Sequence, residues 1–237
     1  VIASNVAIFQ QKPVLIMSGE MPKEQIAMRM CCAAGPADIS KVRNAPHTLP
    51  AEEFTAYTNA VALLKNVPMQ INDTSRPSIA NIRESVRKIK HQYGSVGAVF
   101  IDYLQILKTT KAFAREDLKI AYFTGELKAM AKEFDCVVVL LSQLNRELEK
   151  RPNKRPVMSD LRESGAIEQD ADQILFLYRD EIYNKESKYQ GIAEAILGKN
   201  RHGEIGTSYM HSQLKYCQFS NLDSQAIEQL QGLGGGV

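Results

Sequence analysis

The sequence predicts an α/β fold, a mostly parallel β-sheet flanked by helices and followed by a C-terminal β-hairpin. Three observations predict it. Short apolar runs at residues 14–17, 98–101 and 137–141 alternate with segments of helical period, the pattern of repeated strand–helix–strand units. Each of these runs ends in polar or acidic side chains. After about residue 190 the alternation stops, and two strand-like pieces, 192–197 and 205–210, flank a turn holding Lys199, Asn200, Arg201, His202 and Gly203. That arrangement is a hairpin signal.

Residues 1–11 read as the later turns of an amphipathic helix that feeds directly into the strand at 14–17, so the chain is expected to be a fragment. A helix is expected over 22–34, with Pro22 in the first turn, where its missing N–H is harmless. Phe54, Tyr57, Val61 and Leu64 step by 3, 4 and 3 and define one apolar helix face. The cleanest helix covers 77–93: Ile79, Ile82, Val86, Ile89 and Tyr93 step by 3, 4, 3 and 4, and Gly94 stands where a left-handed cap belongs. The strand at 98–101 follows, then a helix over 118–134 with Phe123, Leu127, Met130 and Phe134 on one face. Residues 137–141 and 174–178 read as buried strands. Segments 108–115 and 146–156 read as mobile loops. The second carries Lys150, Arg151, Lys154 and Arg155, expected to be a solvated run because Glu147 and Glu149 lie beside it. Residues 1–219 are expected to form one domain, and 220–237 a polar, Gly-rich, disordered tail.

Composition bounds the function. A chain of 237 residues with 44% hydrophobic and 24% charged residues suits one well-filled domain. Its net charge of +2 sets up no long-range field toward nucleic acid or membrane. No apolar run approaches the roughly 20 residues that span a bilayer, and no secretory leader is evident, so a cytoplasmic location is expected. Cys31, Cys32, Cys136 and Cys217 show no C-x-x-C spacing, a poor pattern for zinc or a disulfide framework.

The chemistry lies at the strand ends. The first run leads into Ser18, Gly19 and Glu20, the second into Asp102, and the third into Ser142 and Gln143. In an open parallel sheet these ends share the carboxyl edge, where such folds bind ligands. A carboxylate there can hold Mg²⁺ directly or through water. A second, free of metal, can accept a proton from an attacking water, and a neutral amide can orient a phosphate without adding negative charge. Together they suit nucleotide hydrolysis. Each residue taken singly could equally cap the following helix.

The strings K-P-V-L-I-M-S-G-E-M-P, V-F-I-D-Y-L-Q, L-L-S-Q-L-N-R, R-P-V-M-S-D-L-R-E-S-G-A-I-E-Q-D-A-D and G-K-N-R-H-G, in this order and spacing, closely resemble the C-terminal motor domain of DnaB-type replicative DNA helicases. The likeness runs over about residues 1–219, and the D-L-R-E-S-G-A-I-E-Q-D-A-D run is highly specific. The resemblance implies a RecA-like fold, a ring-shaped homo-hexamer, and hydrolysis of ATP with Mg²⁺ at sites shared between subunits. It further implies 5′–3′ translocation on single-stranded DNA, duplex unwinding, primase and a helicase loader as partners, no membrane, and a bacterial or phage-encoded source.

Residue by residue, the resemblance makes Glu20 the catalytic glutamate that polarises the attacking water and Asp102 the Walker B aspartate that supports Mg²⁺. Gln143 matches the glutamine that couples the γ-phosphate to the DNA-facing loop, and Arg29 an arginine near the nucleotide. Lys199 and Arg201 match the arginine finger and its lysine companion, which reach a neighbouring subunit's phosphates from the hairpin turn. A planar guanidinium suits the charge of a transferring phosphoryl group. Arg162, Glu163 and Gly165 match the loop that grips the DNA backbone, Gly165 letting backbone N–H groups approach closely. Without the resemblance, Arg29 reads as a solvated helical side chain and the Lys199 to Gly203 segment as a solvated basic turn.

The sequence also departs from the family. No G-x-x-x-x-G-K-[ST] phosphate loop occurs within the 237 residues; the family pattern places it a few residues before Val1. Without that cradle the polypeptide alone is expected to bind ATP weakly at best and not to turn it over. Gly19 replaces a usual leucine, and Gly125 a usual basic residue. Two other readings stay open: a RecA- or RadA-like recombination ATPase, and a degenerate non-hydrolysing ring component or loader-binding module. Retention of Glu20, Asp102, Gln143, Lys199 and Arg201 speaks against the last.

Overall fold

The computed structural model describes residues 1–161 and 165–223. The chain divides into two compact units. The first comprises Val1–Gln143, Leu161–Ala171 and Lys215–Cys217. The second comprises Leu144–Asp160, Asp172–Leu214 and the described residues from Gln218.

The first unit is built on four parallel strands: β1 (Val14–Ser18), β2 (Met69–Asn72), β3 (Ala98–Asp102) and β4 (Val137–Leu140), in the order β2-β1-β3-β4. The helices are α1 (Ile2–Phe9), α2 (Lys23–Ala34), α3 (Ile39–Asn44), α4 (Ala51–Lys65), α5 (Ile79–Tyr93), α6 (Glu116–Phe134) and the short α7 (Gly165–Asp170). Strand β1 is central, and all five of its residues are buried. Helix α5 matches its sequence pattern except at its last position, where Tyr93 is exposed. Its Ile79, Ile82, Val86 and Ile89 are buried, each worth about 1.5–3 kcal/mol of removed apolar surface. Ser78 accepts from the Asn81 N–H at 3.2 Å while its own N–H donates to Asn81 Oδ1 at 3.1 Å, and Gly94 closes the helix at φ +80°. This is a capping box at one end and a left-handed cap at the other. Helix α6 buries Phe123, Leu127, Met130 and Phe134 as its spacing predicts, and buried Thr124 donates to Asp170 at the end of α7 at 2.5 Å.

Two expectations for this unit need correction. Residues 137–141 are not a strand buried on both sides. Strand β4 pairs only with β3 among the described strands, and Val137 is 61% exposed. Helix α4 buries its expected face only in part: Tyr57 and Leu64 are half-buried, Phe54 and Val61 are exposed, and Ala60 is its buried residue. The cause is a close approach at Gly35, where a Cβ would stand 2.0 Å from the Ala56 carbonyl oxygen and 3.0 Å from Ala60 Cβ. The small residues of α4 therefore face the end of α2, and Phe54 and Val61 turn outward while Leu64 still packs against the core.

The second unit is an antiparallel sheet, β5 (Gln173–Tyr178), β6 (Ile192–Asn200), β7 (Gly206–Gln213) and β8 (Gln218–Asn221), in sequential order. The β6–β7 hairpin is the one expected, but Lys199 belongs to strand β6, opposite Ile174, and not to the turn. Strand β5 is one-sided: Ile174, Phe176 and Tyr178 are buried while Leu175 and Leu177 are exposed. Strand β8 carries regular structure two residues past the boundary drawn at 219, and residues 224–237 lie outside those described.

Part of the basic run at 150–155 is anchored and not solvated. Arg151 donates to Asp160 at 2.7 Å, and Asp160 also accepts from the Val157 N–H at 2.8 Å. Arg155 grips Glu194 with two bonds, Nε to Oε2 at 2.9 Å and Nη2 to Oε1 at 2.8 Å, over the face of the Tyr178 ring. Glu194 is 3% exposed, so its charge is met by Arg155 alone among the ion pairs of the described residues. The segment Arg146–Lys150 is a short 3-10 helix.

Candidate functional site

Three neighbouring strands of the first unit end at the same level. Ser18 is the register partner of Asp102, and Ile101 that of Leu140. Adjacent strands lie about 4.8 Å apart, so the carboxyl ends of β1, β3 and β4 fit within about 10 Å. Glu20, Asp102 and Gln143 all leave from this edge.

Local bonds shape each loop. Buried Ser18 closes the turn after β1: its hydroxyl donates to the Met21 carbonyl at 2.8 Å and accepts from the Met21 N–H at 3.2 Å. The Gly19 N–H donates to the Asp102 carbonyl at 3.1 Å, tying the β1 exit to that of β3. A Cβ on Gly19 would lie 2.0 Å from Ile106 Cδ1, so the side chain of Ile106 fills the space a residue at 19 would use. After β4, the Leu141 N–H donates to the Ile101 carbonyl at 3.0 Å and the Leu141 carbonyl accepts from Leu104 at 2.9 Å. Gln105 spans the next two residues, donating from Nε2 to Ser142 Oγ at 3.1 Å and accepting the Gln143 N–H at 3.4 Å. Ser18 and Gln105 carry no assigned role in the sequence reading, although both lie in strings that carry the resemblance.

Asp102 is half-buried and Glu20 exposed. Burial, and next the charge of Glu20, push the Asp102 carboxyl above the usual carboxylate range. Two carboxylates thus repel at the sheet edge, a condition that a divalent cation relieves. Among the described residues no three His, Cys, Asp or Glu side chains gather into a metal cage. A hard cation that takes one carboxylate and keeps most of its ligands as water and phosphate fits this donor set.

The remaining candidates are placed as follows. Arg29 sits on the exposed side of α2; its charge opposes the burial that raises the Cys217 thiol. Gly165 is the exposed first residue of α7, whereas Arg162 and Glu163 lie outside the described residues. In the second unit, Lys199 lies near the end of β6, and Arg201 opens the turn that follows. The cysteines carry free thiols, and burial foremost pushes that of Cys32 up to about 12. No helix among the described residues is long and apolar enough to cross a membrane.

A parallel sheet with two acids and an amide on its carboxyl edge, followed in the chain by an antiparallel sheet, defines the RecA-like class of ATPase domains. Sequence comparison narrows the class: residues 1–221 match the model of the DnaB-like helicase C-terminal domain. The chain belongs to that family. It is 41% identical over 225 residues to the replicative DNA helicase DnaB of Haemophilus influenzae, covering 94% of this chain and 48% of that protein. It is 40% identical over 228 residues to the replicative DNA helicase DnaB of Geobacillus stearothermophilus, covering 96% of this chain and 50% of that protein. The chain therefore spans about half the length of these relatives. Among solved structures, a DnaB-like replicative helicase described with its interactions with primase superimposes with a TM-score of 0.88 at 37% identity, over 93% of this chain and 53% of that one. A structure described as an ATPase domain gives 0.88 at 37%, over 93% of this chain and 78% of that one. The RadB recombinase, at 12% identity and a TM-score of 0.50 over 93% of this chain and 84% of that one, shares the fold alone. The recombinase reading thus gains no support beyond topology.

Proposed function

We propose that this chain is the motor domain of a replicative DNA helicase that hydrolyses ATP with Mg²⁺, tracks 5′–3′ along single-stranded DNA and unwinds duplex. The observation that carries the proposal is the convergence of Glu20, Asp102 and Gln143 on one sheet edge in a chain of this family. The working form is a homo-hexamer, with primase and a loader as partners, acting in the cytoplasm.

Asp102 would hold Mg²⁺, through water, and the ion would offset the charge of the phosphate oxygens. Glu20, exposed and held near Asp102 by the Ser18 turn and the Gly19–Asp102 hydrogen bond, orients an attacking water and accepts its proton. Gln143, its N–H seated on Gln105, meets the γ-phosphate with a neutral amide and reports its presence toward the Arg162, Glu163 and Gly165 loop. That loop follows DNA through phosphate contacts, a sequence-independent grip. Arg29 borders the nucleotide. Lys199 and Arg201 act on the site of a neighbouring subunit, where a guanidinium stabilises charge on the transferring phosphoryl group.

The test is DNA-stimulated ATP hydrolysis by the full-length protein. Glu20→Gln keeps the side chain's size and removes the base, so turnover is expected to fall about 10²–10⁴-fold with nucleotide binding retained. Turnover within threefold of wild type would remove Glu20 from the reaction. Strand-exchange activity in place of strand displacement would favour the recombinase reading.

A further inference from the structure

The hairpin turn is clamped from its far side. Arg201 Nη1 donates to Asp172 Oδ1 at 3.0 Å, and the Arg201 N–H donates to the Asp172 carbonyl at 2.9 Å. Both side chains are about half exposed, 48% and 49%. An exposed ion pair of this kind contributes little to stability, with a median near 0–1 kcal/mol, so its consequence is mainly geometric. The neighbouring register reinforces it: Gln173 Nε2 donates to Asn200 Oδ1 at 3.2 Å, and Asn200 Nδ2 donates to the Glu204 carbonyl at 3.2 Å. The turn backbone is therefore fixed on both sides of Arg201.

We propose that Asp172 is the positioning residue for Arg201, aiming its guanidinium so that the remaining donors face a phosphoryl group outside the subunit. This rests on the reading of Arg201 as the finger given above. An arginine on a turn explores many rotamers, and freezing them at the moment of reaction opposes catalysis. Asp172 engages Nη1, and a guanidinium carries five N–H donors in a rigid fork. Among the described residues no hydrogen bond engages Nε or Nη2, which leaves them to a phosphate, so holding and reacting are compatible. The acid lies at the end of the Glu-Gln-Asp-Ala-Asp string, 29 residues before the arginine it aims. Its place in that string thereby gains a physical reason.

The experiment is steady-state, DNA-stimulated ATP hydrolysis by the assembled full-length protein, with Arg201→Ala, Asp172→Ala, Asp172→Asn and the double variant Asp172→Ala/Arg201→Ala. Loss of the finger itself is expected to cost about 10³-fold or more in kcat. Asp172→Ala, which leaves the backbone bond in place, is expected to lower kcat about tenfold, since misplacing a reacting group by an ångström can cost about 10²-fold. KM for ATP should stay within about twofold, since orientation is lost and not binding. Asp172→Asn keeps an oxygen acceptor and should recover most of the rate. The double variant should be no slower than Arg201→Ala, because the part of the Asp172 effect that runs through Arg201 has nothing left to act on. Should Asp172→Ala fail to assemble, Asp172→Ser, too short to reach the guanidinium, replaces it with the same expected fall. Full turnover in Arg201→Ala sinks the finger reading itself. A dead Arg201→Ala beside a wild-type or faster Asp172→Ala leaves that reading intact and overturns the positioning role.

Discussion

Replacing Arg155 tests how the segment before Asp160 is fixed to the second unit. Its partner Glu194 is 3% exposed and accepts both guanidinium bonds, at 2.9 and 2.8 Å. Arg155→Met keeps the length and apolar stem of the side chain but strands a carboxylate in the sheet. Breaking a fully buried pair costs about 3–5 kcal/mol. Arg155 is 37% exposed, so water enters the vacated space and screens the orphaned charge, which brings the expected loss down to about 2–3 kcal/mol. Replacing both partners, as Arg155→Met/Glu194→Leu, removes the stranded charge and should return stability to within about 1 kcal/mol of wild type. The coupling between the two positions is then about 2 kcal/mol. The chain has no tryptophan, so urea unfolding is best followed by circular dichroism, with amide exchange along β5 and β6 localising the effect. A single Arg155→Met variant that loses less than about 0.5 kcal/mol, or a double variant as unstable as the sum of the singles, would refute the clasp.

Two further outcomes follow from the first unit. A Cβ on Gly125 meets nothing within 4 Å, and the residue is exposed in the middle of α6, so Gly125→Ala should stabilise the protein by about 1 kcal/mol, a rise in Tm of about 2–4 °C by thermal melting. Asp102 has its carboxyl raised by burial and by Glu20, so its folded-state pKa exceeds its unfolded one. Its ionisation opposes folding at neutral pH, and the opposition is lifted as pH falls through the folded pKa toward the ordinary value near about 3.9. Asp102→Asn should therefore melt higher than wild type at neutral pH while losing turnover. That gap should close on acidification; a constant or reversed gap between pH 7 and about 4 contradicts the cause assigned here.

How much is legible in the sequence depends on the range over which each feature is decided. Helix α5 is readable because its buried face and its Gly94 cap lie within one stretch of chain. The strand-end acids and amide are readable for the same reason: each follows its own apolar run. Strand β4 misleads because apolar content signals burial but does not say how many neighbours a strand has. The outward turn of Phe54 and Val61 follows from Gly35 meeting Ala56, and periodicity within α4 contains nothing of Gly35. The basic run reads as solvated because the partner of Arg155 stands 39 residues away, and Arg151 reaches Asp160 across a bend 9 residues long. Asp172 is visible as part of a motif, but its contact with Arg201 emerges only when β5 and β6 pair.

Ile106 Cδ1 stands where a side chain at position 19 would begin, which couples the loop after β1 to the one after β3. That atom is the far end of a flexible side chain, so a larger residue at 19 would be admitted by a turn of the Ile106 side chain. The two positions thus share one small volume, and what fits at either depends on the rotamer of the other.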